Sequence, residues 1–193
     1  MLILEMYLTL LSVILGGILN MLFVKTSFYQ KHKYPIDNNK ILKDGKRLFG
    51  NNKTWIGFLS MIICCIITQC FVGFVCYICN INQHNQLYNN YDNNLIFNII
   101  TGSLFGFMYM LFELPNSFIK RRLNIQCGKT NSNTIGKLFF IIDQIDSLFG
   151  VVLILVLFSK ISIYQYFGYI LLGGLTHISV NLILYKLKIR RNL

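Results

Sequence analysis

The sequence predicts an all-α membrane protein, a bundle of five transmembrane helices with its N-terminus outside and its C-terminus in the cytoplasm. Composition is the first reason: of 193 residues, 54% are hydrophobic and only 13% charged, and the mean hydropathy is +0.54. Soluble domains carry roughly a quarter charged residues. The second reason is that five apolar runs are long enough to cross the roughly 30 Å hydrocarbon layer, which takes about 20 helical residues. The third is the placement of charge, which sorts almost entirely to one side of those runs.

The runs span residues 2–24, 56–79, 95–114, 138–158 and 161–185. Glu5 interrupts the first near its end, and the run lacks the basic flank and small-residue cleavage site of a signal peptide, so it is expected to be a retained span. Only Ser159 to Ser162 separates the last two runs; a hairpin of two spans is the economical reading, one long bent helix the alternative. Eight Lys and Arg lie between Lys25 and Lys53, five between Lys120 and Lys137 and four after Tyr185, leaving Lys160 alone on the other side. The positive-inside rule makes the crowded side cytoplasmic. The loops 25–55 and 115–137 are therefore expected in the cytoplasm, and residues 1–193 are expected to form a single membrane domain. The Asn-, Gln- and Tyr-rich segment 80–94 reads as an external loop with little reason to fold and a minor part in function.

A formal net charge of +11 would point to nucleic acid in a soluble protein, but here the cations sit in short loops, and no nucleic-acid partner is expected. Five of the six cysteines fall between Cys64 and Cys79, within or just at the end of an apolar run. They read as small hydrophobes, and Cys76 and Cys79 have no redox fold around them. The sequon Asn52 to Thr54 falls on the cytoplasmic side, and Trp55 reads as an interfacial anchor. Neither the first loop nor Gly128-Lys129-Thr130 has the glycine spacing of a P-loop.

Acids inside apolar runs are expensive and mark candidate sites. Asp143 and Asp146 stand at i and i+3 on one face of the fourth span, near its cytoplasmic end. Two carboxylates so placed repel, and a divalent cation between them resolves this, hard oxygen ligands beside a phosphate favouring Mg²⁺. The alternative is that they are helix N-terminal acids paired with the dipole or with a neighbouring cation. Glu113 closes the third span, and Pro115 is expected to kink the chain after it. Glu113, Ser117 and Lys120 share a helical face, and Asn116, Ser117, Lys120, Arg121 and Arg122 form a candidate phosphate site; a stop-transfer basic cluster is the bland reading. In the first loop, Gly50 to Thr54 could aim backbone amides at phosphate with Lys53 alongside. His177, Asn181, Gln69 and the Gly173-Gly174 pair read as helix-packing groups.

Three blocks, in order, resemble the CDP-archaeol synthase family, membrane cytidylyltransferases related to phosphatidate cytidylyltransferase. They are Asp44-Gly45-Lys46-Arg47 to Gly50 with Lys53-Thr54-Trp55 and Gly57; Ser117-Phe118-Ile119-Lys120-Arg121-Arg122-Leu123; and Asp143-Gln144-Ile145-Asp146 with Gly150. The chain departs from many members at Phe112-Glu113, where they have Gly-Asp, and at Asn124, where they have Gly.

The resemblance implies transfer of CMP from CTP to a lipid phosphate, archaeol-type or phosphatidate-type, releasing pyrophosphate. It implies Mg²⁺ on Asp143 and Asp146, with Glu113 as a further metal contact or as the partner of a cation. Lys120, Arg121 and Lys53 would take phosphate oxygens, and Asn116, Ser117 and Thr54 would bind ligand. Asp44 would hold nucleotide or anchor its loop. Expected partners are CTP, the lipid phosphate and surrounding membrane lipids; a homo-oligomer stands open. The competing readings are a CTP-dependent lipid kinase and a small transporter using the intramembrane acids as an ion path.

Overall fold

The computed structural model describes residues 2–127 and 134–187; the Gly128-Lys129-Thr130 stretch and three of the four C-terminal cations lie outside them. Among the described residues, five helices are long and apolar enough to cross a membrane. They are α1 (Leu2–Val24), α3 (Trp55–Ile78), α4 (Leu95–Arg122), α5 (Thr134–Ser159) and α6 (Ile163–Lys186), with a short α2 (Ser27–His32) between the first two. Three of the long helices start at a residue that caps them: Thr54 Oγ1 accepts from Gly57 N, Asn94 Oδ1 from Phe97 N, and Ser162 forms a reciprocal capping box with Gln165. These contacts satisfy backbone donors that have no partner within the helix.

Helix α4 lies between α3 and α5; α1 packs on α3 and α6 packs on α5. Lipid tails are as apolar as leucine, so helix association in a membrane depends on close packing. Gly102 and Gly106 supply it in a small-xxx-small pattern. A Cβ at Gly106 would lie 2.5 Å from Ile62 Cα and 2.8 Å from Met61 O, and one at Gly102 2.8 Å from Cys65 O. Met61, Cys65, Phe105, Val151, Leu155 and Tyr169 are fully enclosed within one cluster drawn from all five helices. Large side chains such as Leu4, Tyr77, Leu157 and Leu171 face outward from the bundle, as a lipid-facing surface requires.

Three expectations change and one holds. The third span does not end at residue 114: the helix continues through Pro115 to Arg122, so residues 115–122 belong to α4 rather than to a loop. Proline inside a helix removes one backbone bond, yet α4 stays helical past it, and Asn116 and Lys120, just beyond the proline, are both bonded to α5. The fourth span begins earlier, at Thr134. The last two spans are separate helices, the hairpin expected from the break at Ser159 to Ser162, with Lys160 in the left-handed region at φ 49° and the Ser162 capping box making the turn. Lastly, the segment 80–94 is folded. It forms short 3₁₀ turns at Asn82–His84 and Gln86–Asn89, and Asn85 and Leu87 have no exposed surface.

That segment closes the bundle end opposite the basic loops. Gln69 Nε2 donates to Tyr88 Oη and Asn98 Oδ1 at 3.2 Å each, Tyr88 Oη donates to Asn98 Oδ1 at 2.7 Å, and Asn98 Nδ2 donates to Asn93 Oδ1 at 2.8 Å. Gln69 is thus the interhelical glue its sequence position predicts. Tyr169 Oη donates to Gln86 Oε1 at 2.8 Å, tying α6 to the same cap. Buried amides become affordable inside a bundle only when satisfied in this way.

Candidate active site

The loop between α2 and α3 folds around one carboxylate. Asp37 accepts from Arg47 at 2.5 and 3.2 Å, from Phe49 N at 3.0 Å, Gly50 N at 2.9 Å and Asn39 N at 3.2 Å. Burial works against its charge, but the guanidinium and the amides outweigh that and bring its pKa from 3.8 down to about 2. The Gly50 amide is therefore spent on Asp37 and does not face a phosphate. Gly50 itself adopts φ 95°, and a Cβ there would strike Cys127 Sγ at 2.5 Å; glycine meets both demands.

The folded loop docks on the end of α4. Lys46 Nζ donates to Arg122 O at 2.6 Å, Arg122 donates to Arg47 O at 2.5 Å, and Arg122 Nε pairs with Asp44 at 3.0 Å. The helix closes in a Schellman turn: Ile125 N donates to Lys120 O and Asn124 N to Arg121 O, with Asn124 at φ 58°. Asparagine tolerates that conformation, so the departure from glycine at Asn124 preserves the turn.

Between this loop and the helices lies a cavity of about 390 Å³. Its lining includes Lys25, Lys53, Tyr109, Glu113, Asn116, Ser117, Lys120, Arg121, Asp143 and Asp146, with Asn20, Cys127, His177 and Asn181 at its margins. Eight of the ten sequence-chosen residues therefore meet in one place. Thr54 and Asp44 stand outside it. The Thr54 hydroxyl is taken up by the Gly57 amide at 3.1 Å and by Tyr29 Oη at 2.9 Å, and Asp44 is paired with Arg122. Asp44 thus ties its loop to the end of α4 through that pair.

The acids are each bonded to positive or amide hydrogens. Lys53 Nζ pairs with Glu113, and Lys120 Nζ lies 2.5 Å from both oxygens of Asp143. The Asn116 amide nitrogen donates to Asp143 Oδ1 and Asp146 Oδ2, 2.6 Å each, so the two aspartates converge on one atom. Burial disfavours the charge on Lys53, yet Glu113, Asp146 and Asp143 together outweigh it and hold its pKa above the ordinary lysine range. Among the described residues no three His, Cys, Asp or Glu side chains are grouped to hold a metal; Glu113 is engaged with Lys53, which fits the role of a cation's partner.

Residues that sequence reading had assigned to packing also border the site. His177 Nδ1 lies 3.2 Å from Gln144 O and Asn181 Nδ2 donates to Gln144 Oε1 at 2.8 Å, so α6 grips the turn of α5 that carries both aspartates. An apolar groove of about 70 Å³ continues from the cavity between α1 and α6, lined by Leu10, Ile14, Ile18, Leu148 and Val180, and it shares Tyr109, His177 and Asn181 with the polar chamber. No motif announces this groove, because apolar lining residues look like any others in a span.

Known proteins match this chain along its length. The family model described as CarS-like, CDP-archaeol synthase, matches residues 3–192. A CDP-archaeol synthase of Sulfurisphaera tokodaii is 30% identical over 168 residues, covering 84% of this chain and 82% of its own. That of Methanococcus aeolicus is 28% identical over 160 residues, covering 81% and 80%. A solved structure described as an intramembrane enzyme for archaeal membrane lipid biosynthesis superposes with a TM-score of 0.64 at 19% identity, covering 93% of this chain and 94% of that one. The shared fold and the five apolar helices make this a multi-pass membrane protein, and with a match spanning almost every residue the chain belongs to the CDP-archaeol synthase family.

Proposed function

We propose that this protein transfers CMP from CTP to a lipid phosphate at the basic end of the bundle, giving a CDP-lipid and pyrophosphate. The observation that carries the reading is the cavity itself: four cations and three acids line a chamber that opens into an apolar groove. A chamber of that kind suits a water-soluble polyphosphate meeting a lipid headgroup. The relatives are named for CDP-archaeol, which makes an archaeol-type phosphate the first acceptor to test.

A phosphate oxygen of the lipid attacks the α-phosphorus of CTP; the new P–O bond forms as the α–β bridging bond breaks, and pyrophosphate leaves. The nucleophile is already an anion, so no general base is required, and catalysis reduces to positioning and charge neutralisation. Lys53, Lys120, Arg121 and Lys25 supply positive charge around the phosphates, Lys as point charges and Arg as a fork. Ser117 adds a hydroxyl donor on the same face of α4. Glu113 keeps Lys53 extended into the chamber, and Asp37 holds the loop from which Lys53 projects. The groove between α1 and α6 would receive the first apolar segment of the lipid beside its headgroup.

Mg²⁺ fits the donor set, since Asp143 and Asp146 converge and the buried Asn116 Oδ1 beside them has no hydrogen-bond partner. Bound there, it would neutralise charge on the phosphates and stabilise the departing pyrophosphate. Asp143, Asp146 and Asn116 are the side chains that would hold it.

We place this end of the bundle in the cytoplasm, with the N-terminus outside, on the 17-to-1 distribution of Lys and Arg. A transporter reading fits less well. The opposite end is polar after all, but Met61, Phe105 and Val151, with no exposed surface, fill intermediate positions along α3, α4 and α5. Asp146→Asn should lower CTP-dependent pyrophosphate release by roughly two orders of magnitude or more while the variant melts like the parent. Retained activity in a folded variant would remove Asp146 from the reaction.

A further inference from the structure

Asn116 stands at the point where a cation shared by Asp143 and Asp146 would have to stand. Its amide nitrogen is 2.6 Å from an oxygen of each, the residue is 8% exposed, and its amide oxygen is buried with no hydrogen-bond partner. Lys120 Nζ simultaneously contacts both oxygens of Asp143. The aspartates are therefore satisfied by two nitrogen donors on the neighbouring helix, at positions that a divalent cation would also need.

We propose that Asn116 is itself a ligand of the divalent cation, and that Asn116 and Lys120 act as placeholders which make cation and nucleotide bind together. The inference rests on the reading of Asp143 and Asp146 as cation ligands. A carboxamide has a donor end and an acceptor end of nearly the same shape. A half-turn about its terminal torsion, which is soft, replaces Nδ2 by Oδ1 and converts a donor between two carboxylates into a third hard oxygen beside them. That turn also gives the orphaned oxygen a partner.

Lys120 cannot remain on both oxygens of Asp143 while a cation takes them. Its ammonium, on a flexible four-carbon stem, needs another anion in reach, and the cavity into which it projects is the proposed seat of the nucleotide phosphates. A cation alone must compete with Lys120, and a nucleotide alone must draw Lys120 away from Asp143. When both arrive, each releases the group that the other needs. Such coupling is reciprocal by thermodynamic necessity. Glu113, one helical turn before Asn116 on α4, is likewise held by an ammonium, that of Lys53 from the loop before α3.

Mn²⁺ serves as the probe, its free concentration read by electron paramagnetic resonance on the full-length protein in detergent, with and without CTP and with no lipid phosphate. CTP should tighten Mn²⁺ binding by roughly tenfold or more. Lys120→Met should bind Mn²⁺ tightly without CTP and lose most of that dependence. Asn116→Leu should weaken Mn²⁺ binding in the presence of CTP. Tighter binding in Asn116→Leu would show that the side chain only obstructs the cation, and would overturn the ligand role. If the leucine variant does not fold, Asn116→Cys answers the same question: a ligand role predicts that preference shifts from Mn²⁺ toward Cd²⁺, and an unchanged preference contradicts it. Wild-type binding of Mn²⁺ that is indifferent to CTP would overturn the coupling. Asp146→Asn separates this proposal from the reading beneath it: unchanged Mn²⁺ affinity in that variant removes the metal site altogether, whereas lost affinity alongside absent CTP coupling in the wild type removes only the placeholder exchange.

Discussion

Asp37 shows how a single buried carboxylate can organise the whole loop between α2 and α3. It collects the Arg47 guanidinium and three backbone amides, and its side chain has no exposed surface. With its pKa lowered to about 2 from 3.8, the carboxylate contributes stability that is fully present above about pH 4 and is lost as the pH falls toward 2. The shift corresponds to about 2 kcal/mol. Trp55, the only tryptophan, donates its backbone amide to Tyr34 O at the end of this loop and reports on it. Its fluorescence should show an acid transition between pH 4 and 2 that disappears in Asp37→Asn, and that variant should melt at lower temperature at neutral pH. Identical acid profiles would contradict the assignment. Asp37 was not legible as important in the sequence. Its role depends on Arg47, Phe49 and Gly50 returning to it, which only the fold reveals, whereas Asp143, Asp146 and Glu113 stood out because acids in apolar runs are costly anywhere.

At the scale of elements, α4 carries most of the site, and it was the element read least well. Pro115 and the basic cluster after it looked like the end of a span, because a proline break and a stop-transfer sequence share those residues. The helix continues, and Asn116 and Lys120 bond it to α5; those bonds cannot be seen from local sequence. The opposite face of α4 depends on Gly106. A methyl group there would overlap the α3 backbone at Ile62, so Gly106→Val should destabilise the bundle by about 1–3 kcal/mol in thermal melts. Gly17→Ala, where a Cβ meets nothing within 4 Å, should be neutral or stabilising by up to about 1 kcal/mol. Equal melting temperatures for the two variants would refute the close-packing account. The capped hairpin at Lys160 was the better-read boundary, since a polar break between two long apolar runs has few other solutions.

Across the whole molecule, the asymmetry of charge was the most readable feature, and it points to the end of the bundle that holds the candidate site. The loop between α2 and α3 folds onto the end of α4, so cations from both, Lys53, Lys120 and Arg121 among them, line the chamber. What the sequence concealed was the far end. Its Asn and Gln residues looked like a solvated loop, yet they pair with each other and with α3 and α6, because hydrogen bonds among amides leave no pattern that distinguishes a cap from a coil. The central claim concerns the fate of the α-phosphate. Purified protein incubated with Mg²⁺, a lipid phosphate and CTP labelled at the α-phosphorus should place the label in the lipid fraction and release one pyrophosphate per labelled lipid. Label remaining in water-soluble CDP, with the γ-phosphate found on the lipid, would contradict cytidylyl transfer and make the protein a kinase.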